Sequence, residues 1–154
     1  MSDCRIEWVD KVPEDLRIRV EQGHARDEAR KGIVCDDKRF SLIATNGEEI
    51  SGLLRGYTAF TEIYVDDLWV DPKWHKRGLG RHLLHEVENH FKDQEYNNIN
   101  LVTNHFQAPE FYKKCGFEVE FVRINRYNPA LSKTFFIKYF ENNPQTRGLL
   151  LRPR

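Results

Sequence analysis

The segment LWVDPKWHKRGLGRHLL, residues 68–84, holds the residue types and spacing best suited to chemistry. An apolar, strand-like run reaches a short loop containing Gly78 and Gly80, and the loop opens directly into a helix. Such a junction offers unpaired backbone N–H groups and the positive end of a helix dipole, which suit a phosphate or pyrophosphate. His75, Lys76, Arg77 and Arg81 surround it with basic side chains, and the two glycines let a ligand reach the backbone with no Cβ in the way. Two familiar phosphate loops do not match: no G-K-[ST] occurs, and a G-x-G-x-x-G fingerprint would need glycine where Leu83 stands. On these residues alone, a tight strand-to-helix turn with a solvated basic rim explains the segment equally well.

Other reactive side chains read more plainly. His82 and His85 are three apart on one helix with Glu86 adjacent and His90 further along. The order H-x-x-H-E matches neither H-E-x-x-H nor H-x-x-E-H, so a solvated helix face, with no metal, is expected. Cys115 has no His or Asp partner fixed by spacing, which favours a packed thiol over a nucleophile. Cys4, Cys35 and Cys115 are odd in number and form no C-x-x-C pair. Neither a disulfide framework nor a zinc ribbon fits, and a reducing, cytoplasmic setting is expected.

The elements that must position the glycine turn can be read from periodicity. RFSLIAT (39–45), the turn NGEE (46–49) and EISGLLRGYTAF (49–60) form a hairpin pattern with Asn-Gly at its tip. EIYVDDLWV (62–70) follows as a third antiparallel strand. Leu79, Leu83, Val87 and Phe91 recur every four residues, which predicts an amphipathic helix from about Gly78 to Lys92. INLVT (99–103) is strand-like, and the strand–helix–strand order favours parallel flanking strands. Pro109 opens a short helix closed by Gly116, and FEVEFVRI (117–124) with KTFFIKYF (133–140) alternates as a final antiparallel pair. In that pair Phe135, Phe136, Tyr139 and Phe140 have the spacing of core and sheet edge, the alternative being that one of them lines the acceptor pocket. Near the start, CRIEWV (4–9) reads as a short strand, and Gly23 suggests two short helices or a broken one over 13–31.

Composition bounds the rest. With 154 residues and 40% hydrophobic content the chain is expected to build one core without disulfide or metal, as a single domain over 1–142 with a loose tail over 143–154. Twenty-four basic residues balance 24 acidic ones, so no overall field would hold the protein on nucleic acid or an anionic membrane. No stretch approaches the ~18 apolar residues of a membrane span, and the first residues lack an apolar signal core.

The run V-D-P-K-W-H-K-R-G-L-G-R-H-L-L, followed about thirty residues later by F-Q-A-P-E-F-Y-K-K-C-G-F, resembles the acetyl-CoA motif and the next helix motif of the GNAT N-acetyltransferase superfamily. The FQAPxFY run is similar to that of small stand-alone bacterial-type acetyltransferases. The resemblance covers roughly residues 38–140 and implies an α/β (α+β) fold: a twisted, mixed, mainly antiparallel sheet with flanking helices and splayed central parallel strands. It also implies acetyl-CoA as acyl donor and transfer to an amine, of a small molecule or a peptide, by direct attack in a ternary complex. Look-alikes commonly pair as homodimers, a candidate state here.

The same resemblance assigns roles to residues. In the family pattern Q/R-x-x-G-x-G/A, His75 stands at the Gln/Arg position and Gly78 and Gly80 at the glycines, so residues His75, Lys76, Arg77, Gly78, Leu79, Gly80 and Arg81 would hold the cofactor through backbone N–H groups. Backbone groups of Leu68, Trp69 and Val70 would pair with the pantetheine arm and polarise the acetyl carbonyl. His105 replaces the Asn that many members place against pantetheine, with Asn104 next door able to take that contact, and Ala108 completes the cofactor set. Tyr112 sits at the general-acid position, where simple packing beside Phe111 is the competing reading. Asp66 is the candidate base, with Glu62 on the same face and His105 as further options; an ordinary surface carboxylate is the alternative for Asp66. The Asp66-Asp67 pair interrupts an apolar strand and is compatible with a β-bulge. Acceptor choice would rest on the 13–35 segment and the 125–132 loop, NRYNPALS. The rival from another class is a non-catalytic acyl-CoA-binding or protein-interaction module, supported by the His75 and His105 departures.

Overall fold

A computed structural model describes residues 4–140; the tail expected over 143–154 lies outside the described residues. The chain divides into two compact units, one ending at Cys35 and one beginning at Asp36.

In the first unit, α1 spans Glu14–Arg30 as one unbroken helix. The expected break at Gly23 does not occur. Gly23 costs about 1 kcal/mol relative to alanine inside a helix, and good helix formers on both sides carry the chain through it. Pro13 precedes the helix and Glu14 and Asp15 fill its first turn, where acidic groups meet the positive dipole end. Arg17 reaches both Glu14 and Glu21 at i−3 and i+4. Cys4–Val9 is not a strand: among the described residues of its unit no other strand is present to share a hydrogen-bond ladder.

The second unit is a six-stranded sheet in the order β1-β2-β3-β4-β6-β5. β1 (Lys38–Asn46) and β2 (Glu49–Ala59) form the hairpin, with Gly47 at φ 63° in its tip, and β3 (Glu62–Val70) continues antiparallel. α2 (Leu79–Phe91) then crosses to β4 (Asn98–Asn104), which pairs parallel to β3. After α3 (Pro109–Lys114), Gly116 turns the chain at φ 87° into β5 (Glu118–Arg123), and β6 (Lys133–Tyr139) returns between β4 and β5. This is the mixed, mainly antiparallel architecture that the sequence implies.

The core lies between α2 and one face of the sheet. Leu83, Leu84, Val87 and Phe91 pack with Leu54, Ile63, Val65, Ile99, Leu101, Phe117, Phe136 and Phe140. Each such side chain contributes about 1.5–3 kcal/mol through burial, so the four apolar residues of α2 fix that helix on the sheet. Its first turn is thereby fixed beside the end of β3.

Candidate active site

β3 and β4 are paired only from Glu62 to Val65 against Asn98 to Leu101, although β3 continues to Val70 and β4 to Asn104. Beyond that point the strands part, and a cleft of about 810 Å³ opens between them and runs to the start of α2. A bulge on the other edge of β3 accompanies the parting. Arg55 faces Asp67 and Gly56 faces Val65, so Asp66 is the extra residue, at the position where the sequence places a bulge. Glycine is required opposite: a Cβ on Gly56 would lie 2.3 Å from the Tyr64 carbonyl oxygen and 2.6 Å from the Phe40 ring.

The loop joining β3 to α2 is tied at both ends. Asp71 donates its N–H to the Ser51 carbonyl at 2.9 Å, and its carboxylate accepts from the Lys73 N–H at 2.9 Å. His75 Nε2 lies 2.8 Å from the Val70 carbonyl, which can only accept, so Nε2 carries the proton. Lys76 and Gly78 both adopt positive φ, 59° and 78°. For Lys76 that backbone costs of order 1–3 kcal/mol, a strain concentrated at functional loops. Among the described residues, the N–H groups of Lys76 through Arg81 meet no protein acceptor; the next one, of His82, returns to the Gly78 carbonyl. Gly78 has open space where a Cβ would stand, whereas a Cβ on Gly80 would meet the Phe111 ring at 3.0 Å. The result is a row of backbone donors leading into a helix N-terminus, a setting that suits an anionic group.

Of the residues singled out in the sequence, Asp66, Leu68, Val70, His75, Lys76, Gly78, Leu79, Gly80, Arg81, Ala108 and Tyr112 line this cleft. Four do not. Trp69 alternates out of it between Leu68 and Val70, Arg77 stacks over Trp74 at 4.8 Å, and the side chains of Asn104 and His105 lie off the cleft. Gln107 Oε1 accepts from the Asn104 N–H at 2.9 Å and from its carboxamide at 3.3 Å, which holds Asn104 back. His105 donates its backbone N–H to the Ser132 carbonyl at 2.8 Å. Sequence reasoning missed Thr103, Gln107 and Asp67, all in the lining. Alternation from buried Leu101 points to Thr103; Asp67 follows only from the bulge.

Tyr112 projects from α3 with its ring against Phe111, Phe117 and Phe136, at centroid distances of 5.1, 6.2 and 5.6 Å. Burial pushes its phenol up from the ordinary value, helped by the Cys115 thiol and the Asp67 carboxylate, so it stays protonated at neutral pH. Burial likewise pushes the Cys115 thiol up, which leaves it a poor nucleophile.

The other face of the sheet carries a continuous row of contacts. Asp66 pairs with Arg39 at 3.2 Å, and the Arg39 guanidinium lies over Tyr57 at 5.3 Å. Tyr57 stacks on Tyr64 at 4.9 Å, and the Tyr64 hydroxyl donates to Glu62 at 2.5 Å. Glu62 and Asp66 therefore share one face, joined through this row. Asp67 pairs with Arg55 at 2.6 Å.

Parted parallel strands, a bulge beside them and a donor-lined turn define an acetyltransferase architecture. The chain belongs to the acetyltransferase (GNAT) family, whose model matches residues 5–117. It is 32% identical over 133 residues to blasticidin-S acetyltransferase of Streptomyces morookaense, covering 82% of this chain and 96% of that one. An acetyltransferase structure from Bacillus cereus ATCC 14579 superposes with a TM-score of 0.71 at 28% identity, over 86% of this chain and 97% of that one. An aminoglycoside 6'-N-acetyltransferase complexed with coenzyme A shares the fold at 17% identity, with a TM-score of 0.61 over 84% of this chain and 88% of that one.

Proposed function

We propose that this acetyltransferase moves the acetyl group of acetyl-CoA to a primary amine of a small molecule or peptide, by direct attack in a ternary complex. The observation that carries the reading is the set of six acceptor-free N–H groups from Lys76 to Arg81, placed at one end of a cleft whose lining includes Tyr112. The complex of a structural neighbour with coenzyme A and the blasticidin-S named for the Streptomyces relative support the same donor and a small-molecule acceptor. Because the family match crosses the boundary at Cys35 and Asp36, we read residues 1–142 as one domain; three cysteines with no C-x-x-C pair support a reducing, cytoplasmic setting.

Acetyl-CoA supplies the acyl group as an activated thioester. The Lys76–Arg81 backbone holds its pyrophosphate, and the β3 edge from Leu68 to Val70, which β4 leaves open, receives the pantetheine arm and polarises the acetyl oxygen. His75 acts on the protein rather than on the ligand, by fixing the loop to the Val70 carbonyl. Asp66, held by Arg39 at the bulge, takes the proton that the amine must lose. Tyr112, kept protonated by burial, gives a proton to the departing sulfur.

The test is the thermal midpoint with acetyl-CoA, CoA or ATP. A ligand at about a hundred times its Kd adds ~2.7 kcal/mol, worth about 5–10 °C at this chain length. A shift with both CoA species and none with ATP is expected; no shift with either CoA species overturns the reading.

A further inference from the structure

The carboxylates near the cleft differ in one respect. Asp66 and Asp67 are each paired with an arginine, whereas among the described residues no cation pairs with Glu62. Glu62 is nevertheless half-buried and firmly oriented. Its Oε2 accepts from the Tyr64 hydroxyl at 2.5 Å, and its Oε1 accepts from the Asn98 carboxamide at 3.0 Å. Asn98 is only 1% exposed, and its own oxygen accepts from the Asn100 carboxamide at 2.8 Å. Three neutral side chains thus aim one carboxylate and leave its charge uncompensated. A partly desolvated charge without a partner is costly, and an incoming cation recovers that cost.

Position says which cation. Glu62 lies on β3 four residues before Asp66, so about 13 Å along the strand from the point where β3 and β4 part. The ground between is the paired stretch of β3 and β4, with Tyr64 opposite Asn100 in register. The row of Arg39 over Tyr57 borders it on the β2 side. An acceptor whose reacting amine sits at the parting can therefore reach Glu62 with a second positive group.

Resting on the acetyl-transfer reading above, we infer that Glu62 selects acceptors carrying two cationic centres about 10–13 Å apart, binding the unreacted one while the other is acetylated. Glu62 is then a specificity-determining residue that takes no part in the proton transfers.

The test titrates α,ω-diaminoalkanes of four to twelve carbons, and monoamines of matching length, into the CoA-saturated protein, so that no turnover occurs. Longer diamines are expected to bind about tenfold or more tighter than the matching monoamine. Glu62→Gln is expected to remove that preference while leaving monoamine binding unchanged. The substituted amide can still accept from Asn98 and can donate to the Tyr64 oxygen, so the local contacts survive. Tyr64→Phe keeps the carboxylate and is expected to keep the preference. A wild-type protein that does not distinguish diamine from monoamine, or a preference that persists in Glu62→Gln, overturns the inference. Loss of the preference in Tyr64→Phe as well assigns the effect to local packing and also overturns it. Failure of CoA to bind would sink the acetyl-transfer reading itself, an outcome separate from a Glu62-independent diamine response with CoA bound.

Discussion

Replacing Tyr112 with phenylalanine separates its two readings, packing and catalysis. The ring contacts to Phe111, Phe117 and Phe136 depend on the aromatic body, which phenylalanine keeps. Tyr112 lines the cleft, and among the described residues no protein hydrogen bond is made by its hydroxyl, so its removal breaks no internal bond. Stability is therefore expected to change by less than about 0.5 kcal/mol, a shift of no more than about 2 °C. General-acid catalysis contributes about 10²–10⁴-fold, so kcat is expected to fall by that factor, equivalent to about 2.7–5.4 kcal/mol of barrier. The assay follows thiol release from acetyl-CoA with a diaminoalkane acceptor, alongside the midpoint with bound CoA, which is expected to be unchanged. The pH dependence carries a sign as well. Because burial raises the folded phenol above its ordinary value, the acid form persists through pH 7–10, and Tyr112 imposes no loss of rate there. Its ionisation also removes stability as the pH rises through the unfolded value of about 10 and on through the raised folded one. A kcat within threefold of wild type, or a fall in rate matched by a fall in midpoint, would refute the catalytic role.

Two further substitutions probe the scaffold. Gly56→Ala places a methyl 2.3 Å from a backbone oxygen of β3, which no rotamer change relieves; a loss of at least 1–3 kcal/mol in a denaturant titration is expected, and wild-type stability would show that the bulge does not depend on this approach. His75→Ala removes the 2.8 Å tie to Val70 and is expected to cost about 1 kcal/mol while the CoA-induced midpoint shift persists; loss of that shift would give the imidazole a direct role in cofactor binding.

Most of the second unit was legible because its signals were local and repeated. The Asn-Gly tip set the hairpin, the four-residue recurrence from Leu79 to Phe91 set α2, and Pro109 with Gly116 bracketed α3. Gly78 and Gly80 marked the donor cradle because glycine spacing reports backbone conformation directly. Side-chain partnerships across the fold were not legible. Gln107 capturing Asn104, and Arg39 and Arg55 taking the two aspartates of the bulge, join residues up to 27 apart in sequence, and no spacing rule encodes them. Gly23 misled for the opposite reason: a weak local propensity was overruled by its helical neighbours.

The bulge links the cleft to the loop that follows β3. One extra residue on β3 changes the strand's course where its pairing with β4 ends, and the same insertion sets Asp66 and Asp67 against separate arginines. A regular β3 would set Asp66, and not Asp67, opposite Arg55. Gly56, paired in register with Val65, lets the backbone of β2 close on β3 where β3 deviates, and so shapes the cleft from the neighbouring strand. The cradle then needs only to stand at the end of that strand, a distance set by the five residues from Asp66 to Val70 and by the Asp71 and His75 ties that follow.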